Sequence, residues 1–198
     1  MAPHLLTLFT RPEQAWQDIR AQETRNPLHY LGHLLLLALI PAISLYIGTT
    51  VVGWSLAEDE VVRLDTASAL ELCAGLYLAA VLGTLLMGAF VRWMARAFET
   101  RPGFNECVGF VAYTATPLFI AGLAALYPTR WLAVLVLGLA GAYASVLLYL
   151  GTPVFMRLNR EQAFLYASSI WGVGLLVLVN VLVTVILHWL LYLTPEYR

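Results

Sequence analysis

The chain has 198 residues, 61% of them hydrophobic and only 12% charged, with a mean hydropathy of +0.78 and a formal net charge of −1. An ordinary soluble domain is nearer a quarter charged, and several runs here are about 20 apolar residues long, so the composition predicts one polytopic, all-α membrane domain. No basic cluster exists, which argues against nucleic acid as a partner, and every cationic residue is Arg, which excludes the lysine chemistry of phosphate-binding loops and Schiff bases.

Residues 1–10 lack a basic n-region and polar helix follows, so the first membrane helix is expected to serve as the targeting signal. Residues 1–27 read as a cytoplasmic N-terminal segment. Thr10, Pro12 and Glu13 have the spacing of a capping box with proline in the first turn. Phe9, Pro12, Trp16 and Ile19 fall on one helical face, and Glu13, Gln14, Gln17 and Asp18 on the other. This pattern predicts a short amphipathic helix in the interface plane, with Trp16 at headgroup depth and a polar linker at 21–27.

Five membrane helices are expected over residues 28–193, with a short external tail at 194–198. The first covers about 28–52 and contains Pro41; an acidic loop at 53–66 follows. The second covers about 67–93, includes Arg92, and continues as a polar end through Arg96 to Glu99. The third runs from Cys107 to Pro128 and is polar and bent at Tyr113-Thr114-Ala115-Thr116-Pro117. Pro117 cannot bond the carbonyl of Tyr113, and lipid cannot satisfy that carbonyl, so Thr114 and Thr116 are the expected local donors and this face should turn into the bundle. The short link 127–130 makes the third and fourth helices antiparallel neighbours. The fourth covers about 131–150 and ends at Gly151-Thr152-Pro153. The fifth covers about 164–193. Eight arginines fall on the side of the N-terminus and three on the other, which predicts a cytoplasmic N-terminus and an external C-terminus. Small residues four apart at Ala79/Gly83, Gly138/Ala142, Gly141/Ser145 and Ser168/Gly172 are packing signals.

Several residues invite a chemical reading, and each has a plainer one. His29 and His33 are four apart, a metal-compatible spacing, but no further ligand completes a site, so interfacial hydrogen bonding is the better reading. Glu71 is either an intramembrane carboxylate or the far end of a Ser68-x-x-Glu71 capping box, the latter favoured. Arg92 and Arg96 share a face suited to anionic lipid headgroups or to topology anchoring. Asn180 suggests a helix–helix hydrogen bond, and His188 an interface residue. Cys73 and Cys107 should lie about 20 Å apart in depth, too far for a disulfide. No cofactor motif and no nucleophile–base pair appears, so catalysis is not expected.

Taken together, certain stretches resemble a known family. They are Leu8-Phe9-Thr10-Arg11-Pro12-Glu13-Gln14-Ala15-Trp16, Ile47-Gly48-Thr49-Thr50, Met87-Gly88-Ala89-Phe90 with Trp93-Met94-Ala95-Arg96, Ala112 to Phe119, Ala124 to Pro128, and Leu148-Tyr149-Leu150-Gly151-Thr152-Pro153. The chain is similar to the Yip-domain family of Ypt/Rab-interacting-type membrane proteins, in particular its bacterial inner-membrane, YohC-like branch. The resemblance spans nearly the whole chain and implies five membrane helices with a cytoplasmic N-terminus. For eukaryotic members it implies roles in vesicle traffic and membrane shaping, and it carries no active site across.

Three functions compete, with an intramembrane enzyme ranked last. The first is a non-enzymatic scaffold acting through the bilayer, protein partners or homo-oligomers. The second is a small transporter or channel subunit with a polar path at Tyr113–Pro117. Whether that segment meets water or packed side chains discriminates between these two.

Overall fold

Helix α1 spans Pro12–Arg25 in a computed structural model that describes residues 7–26, 28–57, 60–127 and 129–191. A helical turn at 7–10 precedes it, so Thr10 is already helical; Arg11 takes the N-cap position without a side-chain cap, and the expected capping box is not formed. The expected linker is also shorter, because α1 continues to Arg25.

Helix α2 covers His29–Ile47 and ends in a π-helical turn at Gly48–Val52, where the Thr49 and Thr50 hydroxyls donate to the carbonyls of Leu45 (2.8 Å) and Tyr46 (2.7 Å). The expected acidic loop is a hairpin instead: β1 (Trp54–Ala57) pairs antiparallel with β2 (Glu60–Val62). Its acidic tip at 58–59 lies outside the described residues. Helix α3 covers Thr66–Ala95 and tightens into a 3-10 turn at Arg96–Phe98. Helix α4 (Phe104–Thr114) and helix α5 (Thr116–Ala121) are two pieces of the expected third helix, and a 3-10 turn at Gly122–Leu126 follows α5.

Helix α6 covers Arg130–Met156 and runs through Pro153 rather than stopping at it. One proline removes a single backbone bond, and the Thr152 hydroxyl donates to the Leu148 carbonyl (2.7 Å) within the same turn. Helix α7 covers Arg160–Leu191, starting earlier than expected; the tail at 194–198 lies outside the described residues.

The fold is therefore all-α apart from the hairpin. Four stretches, His29–Val52, Thr66–Phe98, Trp131–Met156 and Arg160–His188, are long and apolar enough to cross a membrane. The α4–α5 pair, bent by 43°, adds a fifth of the same character.

Helix α4 sits at the centre, against α1, α2, α3 and α6. Cys107, Val108, Phe110, Ala112 and Tyr113 on it are all buried. Close approach to α3 depends on Gly88, where an added Cβ would sit 2.8 Å from the Val108 Cα. The Tyr166 hydroxyl of α7 donates to the Val91 carbonyl of α3 (2.5 Å), which fixes α7 beside them. The principal core gathers Trp16, Tyr30, Val91, Phe110, Tyr113, Leu147, Phe155 and Tyr166, all at the end of the bundle where α1 enters.

Helix α1 turns its apolar face to the bundle rather than to lipid. Trp16 on that face is fully buried against Phe110 and Phe155, with ring centroids 5.1 and 5.9 Å away. Gly151 creates the space: a Cβ there would sit 2.8 Å from the Trp16 Nε1. The amphipathic pattern was read correctly, but an apolar stripe does not itself distinguish lipid from protein as the surface that covers it.

Candidate functional site

The bend at Pro117 produces the most polar part of the interior. Helix α4 stops at Thr114, Ala115 turns, and α5 restarts with Pro117 in its first turn, where a missing N–H costs least. The threonines act differently from expectation. Thr114 donates to the Phe110 carbonyl (2.8 Å) and Thr116 to that of Ala112 (3.4 Å), each one turn back, rather than to Tyr113. The Ala115 N–H keeps its helical bond to the Val111 carbonyl (2.9 Å), so α4 is intact up to the bend. Tyr113, Thr116 and Pro117 are buried, as the bilayer argument required, while Thr114 is half-buried.

Helix α2 presents His33 to this bend. Its Nε2 lies 2.8 Å from the Thr116 Oγ, and its ring packs on Tyr113 with centroids 4.4 Å apart. No cluster of three or more His, Cys, Asp or Glu able to hold a metal exists among the described residues.

Glu23 is the member that sequence reasoning missed, because it fell in the presumed linker. It lies seven residues after Trp16 on the inserted face of α1 and is only 2% exposed. The Tyr113 hydroxyl donates to its Oε1 at 3.5 Å, a long bond, while its Oε2 has no hydrogen-bond partner among the described residues. Gly109 of α4 makes room for it: a Cβ there would lie 3.4 Å from the Glu23 Cδ and 3.4 Å from the Tyr30 Cβ. Burial pushes the Glu23 carboxyl up to about 7 and nearby Glu106 adds to the rise, against opposing hydrogen bonds from Tyr113 and the Tyr30 backbone. The Tyr30 hydroxyl donates to Asn105 (3.2 Å), which ties α2 to α4 beside it. The signal was present in the sequence: extending the Ala15/Trp16/Ile19 stripe by one helical turn reaches position 23.

Glu23, Tyr113, His33 and Thr116 thus form a buried polar chain joining α1, α4, α2 and α5. The remaining candidates lie elsewhere. Arg92 and Arg96 are both exposed near the end of α3, where cations complement the helix dipole. Glu71 is not a cap. Asp65 caps α3, accepting from the Ala67 N–H at 3.1 Å, and Glu71 instead meets His188 Nε2 at 3.2 Å, joining α3 to the far end of α7. Asn180 makes no helix–helix bond among the described residues. Its amide donates to the Leu176 carbonyl (2.8 Å) of its own helix, and it is exposed. Both cysteines are free and buried.

Two hollows on the bundle are open and almost wholly apolar. One lies between α3 and α7, around Leu82, Gly83, Leu86, Val177 and Asn180; the other lies beside α5 and α6, around Phe9, Pro117, Leu139 and Tyr143.

Residues 6–182 match the Yip1 domain family model. The chain is also 38% identical, over 94% of its length and 95% of theirs, to two proteins named inner membrane protein YohC, from Escherichia coli strain K12 and from Escherichia coli O6:H1. No solved structure gives a significant match. The family match and these relatives each cover nearly all of the bent bundle described above, so the chain belongs to the Yip1 domain family.

Proposed function

We propose that the protein is a non-enzymatic scaffold of a bacterial inner membrane, with a cytoplasmic N-terminus and an external C-terminus. The observation that carries this reading is the closure of the polar bend. Tyr113 is 1% exposed and Thr116 is 0% exposed, so the segment best suited to line a path meets packed side chains. The inner-membrane location is supported by the relatives' names, and the orientation by the arginine excess. Reporter fusions after residue 60 and after residue 198 should report the outside, and one after residue 103 the cytoplasm.

Arg92 and Arg96 are the proposed contacts for anionic lipid. Replacing both by Gln should weaken association with anionic lipid in nanodiscs and leave the fold intact. The proposed protein contacts, including a second copy of the chain, use the uncovered faces of α6 and α7. No cofactor and no nucleic acid enters this reading.

The deciding experiment is photocrosslinking in native membranes from Leu139 and Asn180, with Tyr113 as the buried control. Discrete adducts from the two exposed positions and none from Tyr113 support a scaffold. Saturable solute flux in proteoliposomes, abolished by Tyr113→Phe, would replace it with the transporter reading.

A further inference from the structure

Glu23 is enclosed by three elements, and no ion pair reaches it among the described residues. On its own helix, Arg20 is one turn earlier, but its guanidinium donates to the Val154 carbonyl of α6, beside Arg157. Helix α2 contributes Tyr30, whose hydroxyl is turned to Asn105, and His33, which packs on Tyr113. Helix α4 contributes the Tyr113 hydroxyl and Glu106, the latter of like charge. One weak hydroxyl bond, one backbone N–H and an orphaned oxygen are poor company for a carboxylate and adequate for a neutral acid, whose second oxygen carries a proton.

We propose that Glu23 is a proton-binding site that closes the polar heart of the bundle. With the carboxyl protonated, the last turn of α1 seals Tyr113, His33 and Thr116. When the proton leaves, that turn opens and water reaches them. The inference is independent of the scaffold reading, because it concerns one carboxyl and one helical turn.

The sign follows from linkage. A carboxyl whose closed-state value lies above its ordinary one stabilises closure fully at low pH and loses that contribution as pH rises. Between the ordinary 4.5 and about 7, closure weakens tenfold per pH unit, about 300-fold in all, and above that the loss is constant. The opening is local. Leu8, Ala15, Trp16 and Ile19 remain buried whatever the charge, and each large apolar side chain is worth about tenfold to a hundredfold. Glu23 lies two residues before the end of α1 at Arg25, so only the final turn is free to move.

The test uses the full chain in nanodiscs. Infrared difference spectroscopy follows the protonated-carboxyl stretch, and spin labels at Ala21→Cys and, separately, Gln17→Cys report mobility in a background lacking Cys73 and Cys107. A carboxyl band that titrates near pH 7 and is absent in Glu23→Gln is the expected result. The label at 21 should loosen over the same range, the label at 17 should stay fixed, and Glu23→Gln should abolish the response at 21. Ionisation of Glu23 in the ordinary carboxylate range would overturn the proposal. So would a label at 21 that ignores pH in the unsubstituted chain, or one that responds equally in Glu23→Gln.

Discussion

The two ends of α6 are built on opposite principles. At Gly151 the helix is pressed against Trp16, and its neighbours Leu147, Leu148, Phe155 and Met156 are buried. At its start, Trp131 is 87% exposed, Leu135 and Leu139 are also exposed, and a Cβ at Gly138 or Gly141 would meet nothing within 4 Å. The same contrast runs across the bundle: the end holding α1 is a filled core, while the end holding the hairpin leaves long helix faces uncovered. Apolar burial between helices gains little where the surrounding solvent is hydrocarbon, so exposed leucines at the open end carry no penalty. Buried polar groups do need partners. Glu23 and Thr152 are buried at the closed end, where α1 supplies an extra layer, whereas Thr49 and Thr84, buried further along α2 and α3, donate to carbonyls of their own helices.

Substitutions at the closed end should therefore dominate. Trp16→Ala should cost most, about 3–5 kcal/mol in detergent-micelle unfolding, because it empties the centre of the core. Gly151→Ala should follow at about 1–3 kcal/mol, since the rigid indole must move; limited proteolysis at the exposed face of α1 should accelerate in both variants. Thr116→Val should cost about 1–3 kcal/mol by leaving His33 without its closest hydroxyl, read in the same unfolding assay. At the open end, Glu71→Gln should cost at most about 1 kcal/mol, because the Glu71–His188 pair is substantially exposed. Gly138→Ala should stabilise the isolated chain by about 0.5–1 kcal/mol through helix propensity. A large loss from Gly138→Ala in native membranes alone would reveal a partner seated on that face.

The apolar stretches and the inward orientation of Tyr113 and Pro117 were legible because bilayer chemistry leaves backbone few options. Besides the shifted helix ends, three features were not. Position 23 was assigned to a linker because Gln22, Glu23 and Thr24 look polar, and only the tertiary layer of α1 makes a carboxyl there a core residue. The Ser68-x-x-Glu71 spacing matched a capping box, yet Asp65 sits closer to the start of α3 and takes the role, which frees Glu71 for His188. The small-residue pairs predicted close packing, but among their glycines only Gly83 lies against another helix, with Val177 and Val181 of α7 within 4 Å of a Cβ there; Gly138, Gly141 and Gly172 meet none. The serines of two pairs join α6 to α7 by hydrogen bonds instead, Trp171 Nε1 donating to Ser145 (2.8 Å) and Tyr149 bonding Ser168 (2.9 Å). Spacing identifies a face able to pack and leaves open what it packs against.

The central claim is that the apolar face of α1 is covered by the protein core rather than by lipid. Its most direct test is quenching of single-tryptophan variants by brominated lipid and by an aqueous quencher. With the other tryptophans replaced by Phe, Trp131 should be strongly quenched, as its exposure requires, whereas Trp16 should resist both quenchers in the folded chain. Quenching of Trp16 by bromine at headgroup depth, to the extent seen at Trp131, would contradict the account and return α1 to the interface.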